Sequence, residues 1–495
     1  MKNKFTDREK NWKNGAIVYQ VFVDRFAPSP VLAEKKKLFA KPLRLMDWKK
    51  APERGNYNED AGAWQHELDF WGGDLRGLEE KLDYFKRFFV DVIYLNPIFK
   101  SLTNHKYDTH DYYSVDPALG SNEDFKSFVD SAHRSGFKVV LDGVFNHVGR
   151  QSEIFKKAIS GNDENARKLF RFKGREPVCW NNVYNLPELD LSRKPAQDYI
   201  FAGKNSVVKY WLREFDIDGW RLDVAYEFGQ KLLSQITEAT REVKPNATVI
   251  GEIWNYPEPW YPAVDGVINL HARAILLRML NQTVSPDEAI QMFARMIEDC
   301  GIDHILQTWL TLDNHDTPRL ASVVKSEKLQ ILARVLQFTL PGAVGLYYGS
   351  EFALKGITDP EQRGTLPWHR LNKPPAIFQM HEKLAGIRKN SRALRIGDFR
   401  MLSGNQTFSF MRMTEKVGDT TVICANPTPE KKSVAMQLRD GRIHDYTLFV
   451  DQLSGRQFMA HSGFIDVEVA AESALILQPV LPDPAKGYTR YKNLD

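Results

Sequence analysis

Cysteine is scarce in this chain. Three occur in 495 residues, Cys179, Cys300 and Cys424, odd in number and widely scattered. No CxxC pair or zinc-like spacing appears, which argues against a disulfide framework. No apolar run approaches the roughly 20 residues needed to cross a bilayer, so no membrane partner is expected. The opening M-K-N-K-F-T-D-R-E-K-N-W-K-N-G also lacks the apolar stretch of about 7–15 residues that marks a secretory signal, and the expected location is cytoplasmic. An excess of one charge is missing too: 67 basic against 63 acidic side chains leave +4. That balance gives no case for nucleic acid as the main partner, and the basic run over 35–54 reads as a solvated loop.

Aromatics, by contrast, are plentiful, at 12% with 11 Trp and 18 Tyr. Most belong in a core, but flat amphipathic rings also suit a cleft that packs against the C–H faces of sugars. The length calls for one large domain with one or two smaller ones.

Short apolar, β-rich runs alternate with longer helical patterns, the signature of βαβ units and a parallel sheet. Eight runs qualify as strands: 16–22, 92–96, 138–142, 219–223, 248–252, 267–270, 308–312 and 344–348. Amphipathic stretches such as 78–88, 122–135 and 228–244 lie between them. A further helix follows Ser285, whose capping box with Glu288 precedes Pro286 at the first helical position, and Gly301 ends it. The fold class is therefore α/β, a (β/α)8 TIM barrel. The excess between the third and fourth strands predicts a small inserted B domain, and the short alternating strands beyond about 395 predict a C-terminal antiparallel β-sandwich. The division is barrel over 1–147 and 206–395, insert over 148–205, sandwich over 396–485 and tail over 486–495.

Catalytic groups of such barrels project from the C-terminal ends of strands. Reading only those ends, the third strand delivers Asp142, Asn146 and His147, and the fourth Arg221 and Asp223. The fifth ends at Glu252 and the seventh leads to His315 and Asp316. Glycoside hydrolysis with retention needs two carboxyl groups about 5–5.5 Å apart. Neighbouring strands lie about 4.8 Å apart, so Asp223 and Glu252 fit that need. Arg221, two residues before Asp223 and on the same strand face, is expected to keep it ionised. Glu252, flanked by Ile253 and Trp254, is expected in a drier setting that suits an acid.

These four segments resemble those of the α-amylase family, and the resemblance runs from about 16 to 479. It implies Asp223 as nucleophile, Glu252 as acid/base and Asp316 as transition-state stabiliser, with Arg221, His147 and His315 around the attacked sugar. The segments Y-L-N-P-I-F and N-H-K-Y-D-T-H-D-Y resemble the neopullulanase and cyclomaltodextrinase branch, where Tyr107 stacks on that sugar and His105 lies near it. N-L-P-E-L-D over 185–190 resembles the branch's M-P-K-L-N, with Glu188 and Asp190 as departures. G-I-T-D-P-E-Q-R implies that Asp359 and Arg363 grip the next sugar on the non-reducing side, and Trp254 implies a platform on the leaving side. The implied substrate is an α-glucan oligosaccharide cleaved at α-1,4 bonds. A 4-α-glucanotransferase or an α-glucosidase with the same residues remains open, as does, remotely, a non-catalytic glucan-binding relative.

Three departures carry further expectations. The branch's N-terminal domain is absent ahead of the first strand, which implies a monomer or weak oligomer. The loop after V-D-R-F reads A-P-S-P, without the Asn/Asp-rich run that supplies calcium oxygens in many relatives. Gly73 with Asp74, or Asn146 with Glu227 in place of the usual His, falls short of calcium's six to eight oxygens, so no metal ligand is assigned and no calcium is obligatory. The segment 27–69 has no counterpart in the branch and is expected to fold over the cleft and restrict it to short or cyclic chains.

Overall fold

The structure is a computed structural model that describes residues 4–161, 163–402 and 406–481. The expected tail at 486–495 lies outside the described residues. Helix α1 (Lys4–Lys10) precedes the barrel strands β1 (Ile17–Val21), β2 (Val92–Leu95), β3 (Lys138–Gly143), β4 (Gly219–Leu222), β5 (Thr248–Ile253), β6 (Gly266–Asn269), β7 (Trp309–Thr311) and β8 (Ala343–Tyr347). Each strand pairs in parallel with its successor, and β8 returns to β1 to close the barrel. Ile17 opposite Val344 and Val18 opposite Val92 fix the register on either side of β1. Both faces of this sheet are covered, which is why its strands are apolar runs rather than alternations. Val18, Tyr94, Val140, Ile250, Ile268 and Trp309 fill the interior, whereas Tyr19, Ile93, Val139 and Val249 face the helices.

The outer helices follow their local signals. The expected helix over 78–88 is two short ones, α2 (Leu75–Glu79) and α3 (Leu82–Lys86), interrupted at Glu80 and Lys81. After the break, the Tyr84 hydroxyl donates to the buried Glu351 at 2.5 Å. Helix α4 (Asn122–Arg134) starts at a Ser121–Asp124 capping box. Helix α5 (Ala225–Val243) is interrupted at Gly229, which takes φ 71°. In α6 (Pro286–Cys300) the Ser285 hydroxyl accepts from the Glu288 amide at 3.2 Å, Glu288 accepts from the Ser285 amide at 2.9 Å, and Gly301 at φ 78° ends the helix.

Three additions surround the barrel. The stretch after β3 carries helices Glu153–Ser160 and Glu164–Arg167 and a small hairpin, Phe172–Lys173 with Glu176–Pro177. Backbone bridges from His147 to Glu188 and from Phe170 to Leu189 draw it back to the barrel mouth. Beyond the barrel come β9 (Asp398–Met401), β10 (Phe408–Met413), β11 (Thr421–Asn426), β12 (Lys432–Gln437), β13 (Leu448–Asp451), β14 (Gln457–His461), β15 (Phe464–Val469) and β16 (Ser473–Val480). They form one antiparallel sheet in the order 9-10-11-16-13-14-15-12, curled around a core that includes Met411, Val422, Met436, Phe449, Ile465 and Leu477. The third addition is a strap between β1 and α2. It contains the turn of a two-stranded ribbon, Tyr57–Asn58 with Ala63–Trp64, and its Arg44–Leu45 pairs in parallel with Asp69–Phe70.

No helix among the described residues is long and apolar enough to cross a membrane.

Candidate active site

The C-terminal ends of β3, β4 and β5 bring three carboxyl groups onto one guanidinium. Arg221, fully buried, puts Nη1 2.7 Å from Asp142 and 3.0 Å from Asp223, and Nη2 3.0 Å from Glu252. Asp142 is held from the other side by the Tyr94 hydroxyl at 2.6 Å and the Tyr107 hydroxyl at 2.9 Å. Single charges in so buried a place are costly unless paired and hydrogen-bonded, and here each acid shares the same cation.

The expectation that Arg221 keeps Asp223 ionised needs correction. Burial pushes the Asp223 carboxyl well above the usual carboxylate range. Arg221 opposes that rise, but the negative charges of Glu252, Asp142 and Asp316 reinforce it, so one arginine does not by itself keep Asp223 ionised. Glu252 is buried, as expected, but it is not left without polar partners. Its carboxyl accepts from the Val224 amide at 2.9 Å and from the Trp254 indole at 3.0 Å, besides facing Arg221. The Val224 amide reaches it because Val224 sits at φ 42°, ψ 40°. A β-branched residue there costs on the order of 1–3 kcal/mol, a strain of the kind that collects at functional sites.

Around the mouth, Asp316 lies 3.0 Å from His315 Nε2 and 3.4 Å from Arg363. Burial would raise its carboxyl, but His315, Arg363 and Arg221 outweigh that and hold it well below the usual range. His315 Nδ1 meets the Gln20 amide at 3.0 Å, and its ring stacks on Tyr107 at 5.3 Å with the planes 4° apart. His147 is buried against Trp180, and burial lowers its pKa to about 4. Both its ring nitrogens lack a hydrogen-bond partner, leaving them for a hydroxyl of a bound molecule. Arg363 also pairs with Asp359 at 3.1 Å, and Trp254 is half exposed at the opposite side.

All of these groups surround one cavity of about 500 Å³ whose lining includes His105, Tyr107, His147, Asp223, Glu252, Trp254, Asp316, Asp359 and Arg363. Arg221 and His315 stand behind that lining and hold it. Residues that sequence reasoning missed complete the wall: Glu67 from the strap, Trp180, Asn181, Val183 and Leu186 from the insert, and Tyr226 at the start of α5. Asn181 and Asn182 both take positive φ, 47° and 60°, so the Asn-Asn pair was the signal for the turn that presents Trp180. The Trp180 indole donates to Glu227 at 2.9 Å, pinning the insert over the cleft. Glu188 and Asp190 point elsewhere, to Arg171 at 2.9 Å and Arg193 at 2.9 Å.

Comparison with known proteins bears on this geometry. The profile "Alpha amylase, catalytic domain" matches residues 20–376. The chain belongs to the alpha-amylase family. It is 31% identical to a cyclomaltodextrinase of Geobacillus thermopakistaniensis over 91% of this chain and 75% of that protein. It is also 31% identical to an intracellular maltogenic amylase of Bacillus subtilis, over 79% of this chain and 64% of that protein. The solved structure of a Nostoc punctiforme debranching enzyme superimposes with a TM-score of 0.79 at 28% identity, covering 94% of this chain and 98% of that one.

Proposed function

We propose that this alpha-amylase family member is a retaining glycoside hydrolase that cuts α-1,4 bonds in maltooligosaccharides, cyclodextrins or related α-glucans. The observation that carries the reading is the pair of acids on one guanidinium, with Asp223 and Glu252 each 3.0 Å from Arg221. That sharing holds both acids at one point of the cleft and is compatible with the spacing of about 5–5.5 Å used in retention. In its ionised form, paired with Arg221, Asp223 attacks the anomeric carbon while protonated Glu252 gives its proton to the departing oxygen. Glu252 then takes a proton from water, which releases the sugar from Asp223. Asp316 balances the positive charge that develops on the ring, and His147, His315 and Arg221 orient the sugar and the nucleophile. Tyr107 and Trp254 pack against sugar faces on either side of the cleaved bond.

The test is the anomeric form of the first product from maltotriose, followed by NMR. An α-product supports the reading; a β-product overturns it.

Calcium is not required under this proposal. The Asp74 carboxylate, fully buried, is taken up by the Lys35 ammonium at 2.5 Å and by the Gly77 amide at 2.8 Å. Glu227 is engaged by Trp180. These groups do not fit a calcium site: Lys35 stands where a cation would meet Asp74, and Glu227, the would-be partner of Asn146, is held by an indole rather than offered as one of six to eight oxygens. A cytoplasmic location is part of the same reading, supported by three unpaired thiols, two of them buried.

A further inference from the structure

Among the described residues the strap reaches the catalytic cavity through Glu67, and that end of the cavity can be oriented by chemistry. The acid Glu252 must stand between the attacked sugar and the departing one, because its proton goes to the oxygen that joins them. Trp254 and Tyr226, beside Glu252, therefore face the departing chain. The opposite side of the mouth, over β7, β8 and β1, belongs to the sugar that Asp223 retains and to whatever precedes it toward the non-reducing end.

On that side a short file of groups leads to a wall. Arg363 bridges Asp316, at 3.4 Å, and Asp359, at 3.1 Å, so Asp359 stands one guanidinium away from Asp316. His66 of the strap closes on Asp359 at 3.7 Å and is buried, with Nδ1 unpartnered. Its neighbour Glu67 lines the cavity and faces His105 at 3.3 Å. Burial works to raise the Glu67 carboxyl, but His105, the Trp64 amide and His66 outweigh it and hold it low, so Glu67 is an anion there. Beyond the wall lies a separate hollow lined by Gln65, Arg44 and Asn58.

The wall is built in rather than draped. The Asn104 amide side chain donates to His66 O at 2.7 Å and to Asp69 O at 2.9 Å, and the Asn104 backbone amide donates to Glu67 O at 2.7 Å. Arg44 clamps Asp69 through two bonds of 2.6 and 2.7 Å. Trp48 and Thr365 tie the strap to the loop after β8.

We infer that the strap is a stop at the non-reducing end, in which Glu67 accepts hydroxyl hydrogen bonds from the terminal sugar and His66 holds Asp359 against the next position. The inference rests on the proposed hydrolase reading and narrows it: the enzyme removes a unit of one or two glucoses from chain ends, and rings are disfavoured. A carboxylate recognises hydroxyls strongly, because hydrogen bonds to an ionised acceptor are about twice as strong as those between neutral groups.

Maltoheptaose labelled at its reducing end separates the outcomes. The expected result is a labelled ladder shortened by one fixed step, with glucose or maltose as the sole unlabelled product at early times. In Glu67→Ala and His66→Ala/Glu67→Ala, product lengths spread, and the rate on β-cyclodextrin relative to maltoheptaose rises by about tenfold or more. Internal cleavage by the wild-type enzyme at the earliest times, with hydrolysis otherwise normal, overturns the stop alone. Failure to hydrolyse any α-glucan overturns the hydrolase reading and the stop with it. The wild-type ladder decides the matter even where a variant does not fold.

Discussion

Replacing Lys35 by methionine tests the claim that a lysine does the work of a cation at the base of the strap. The Asp74 side chain is 0% exposed and that of Lys35 14%, with 2.5 Å between the charged groups. Removing one partner of a buried pair costs about 3–5 kcal/mol, because the remaining charge is left uncompensated. Asp74 keeps its bond to the Gly77 amide at the start of α2, so the lower end, about 3 kcal/mol, is expected. Unfolding entropy of about 2.1 cal/mol/K per residue amounts to about 1 kcal/mol/K over a chain this long, which converts the loss to about 3 °C in Tm. Guanidinium and thermal unfolding, each with calcium and with chelator, provide the assay. Wild type is expected to respond to neither addition, since a ligand without a site shifts no folding equilibrium. With Asp74→Asn in the background, Lys35→Met is expected to cost about 1 kcal/mol or less, because asparagine still caps the helix and leaves no buried charge. A loss below about 1 kcal/mol in the single variant, or a wild-type Tm that rises with calcium, refutes the reasoning.

Further outcomes follow from the same geometry. Glu252→Gln is expected to lower kcat by about 10²–10⁴-fold and Asp223→Asn by at least as much, with unchanged circular dichroism; turnover on maltotriose is the measure. Trp254→Ala leaves Glu252 without one of its donors and the departing sugar without its platform, so a higher KM for maltotriose than for an aryl α-glucoside is expected from initial rates. Burial keeps His147 and His381 neutral, with pKa values lowered to about 4 and about 3. The unfolded chain takes up protons at these positions below about pH 6.5, whereas the folded one does so only near its lowered values. Stability therefore falls as pH drops from about 6.5 toward those values, and His381→Gln flattens that limb in urea unfolding at pH 7 and pH 5.

The barrel was legible because strands buried on both faces are written as apolar runs, and because chemistry in this fold gathers at strand ends. Asp223, Glu252 and Asp316 could thus be located without any coordinates. Their electrostatic surroundings could not. The amide that reaches Glu252 depends on the positive φ of Val224, and the indole that reaches it on how Trp254 folds back. No periodicity records either. The strap was expected to fold over the cleft, but not which of its residues reach the cavity, since its paired strands are two residues long and its place is set by distant partners such as Asn104, Leu366 and Thr365. Trp180 was missed for a similar reason: its aim comes from a turn and from Glu227, 47 residues away.

The seam between β1 and β8 has a consequence for biogenesis. Residues 17–20 find their hydrogen-bonding neighbours at 344–347, and Arg8 in α1 finds its acids at Asp303 and Asp398. A nascent chain leaving the ribosome therefore carries an open, apolar sheet edge until more than three hundred further residues have emerged. Such an edge invites pairing with other chains. Added chaperone is then expected to raise the yield of this protein in a cell, since it covers this edge while the edge stands open.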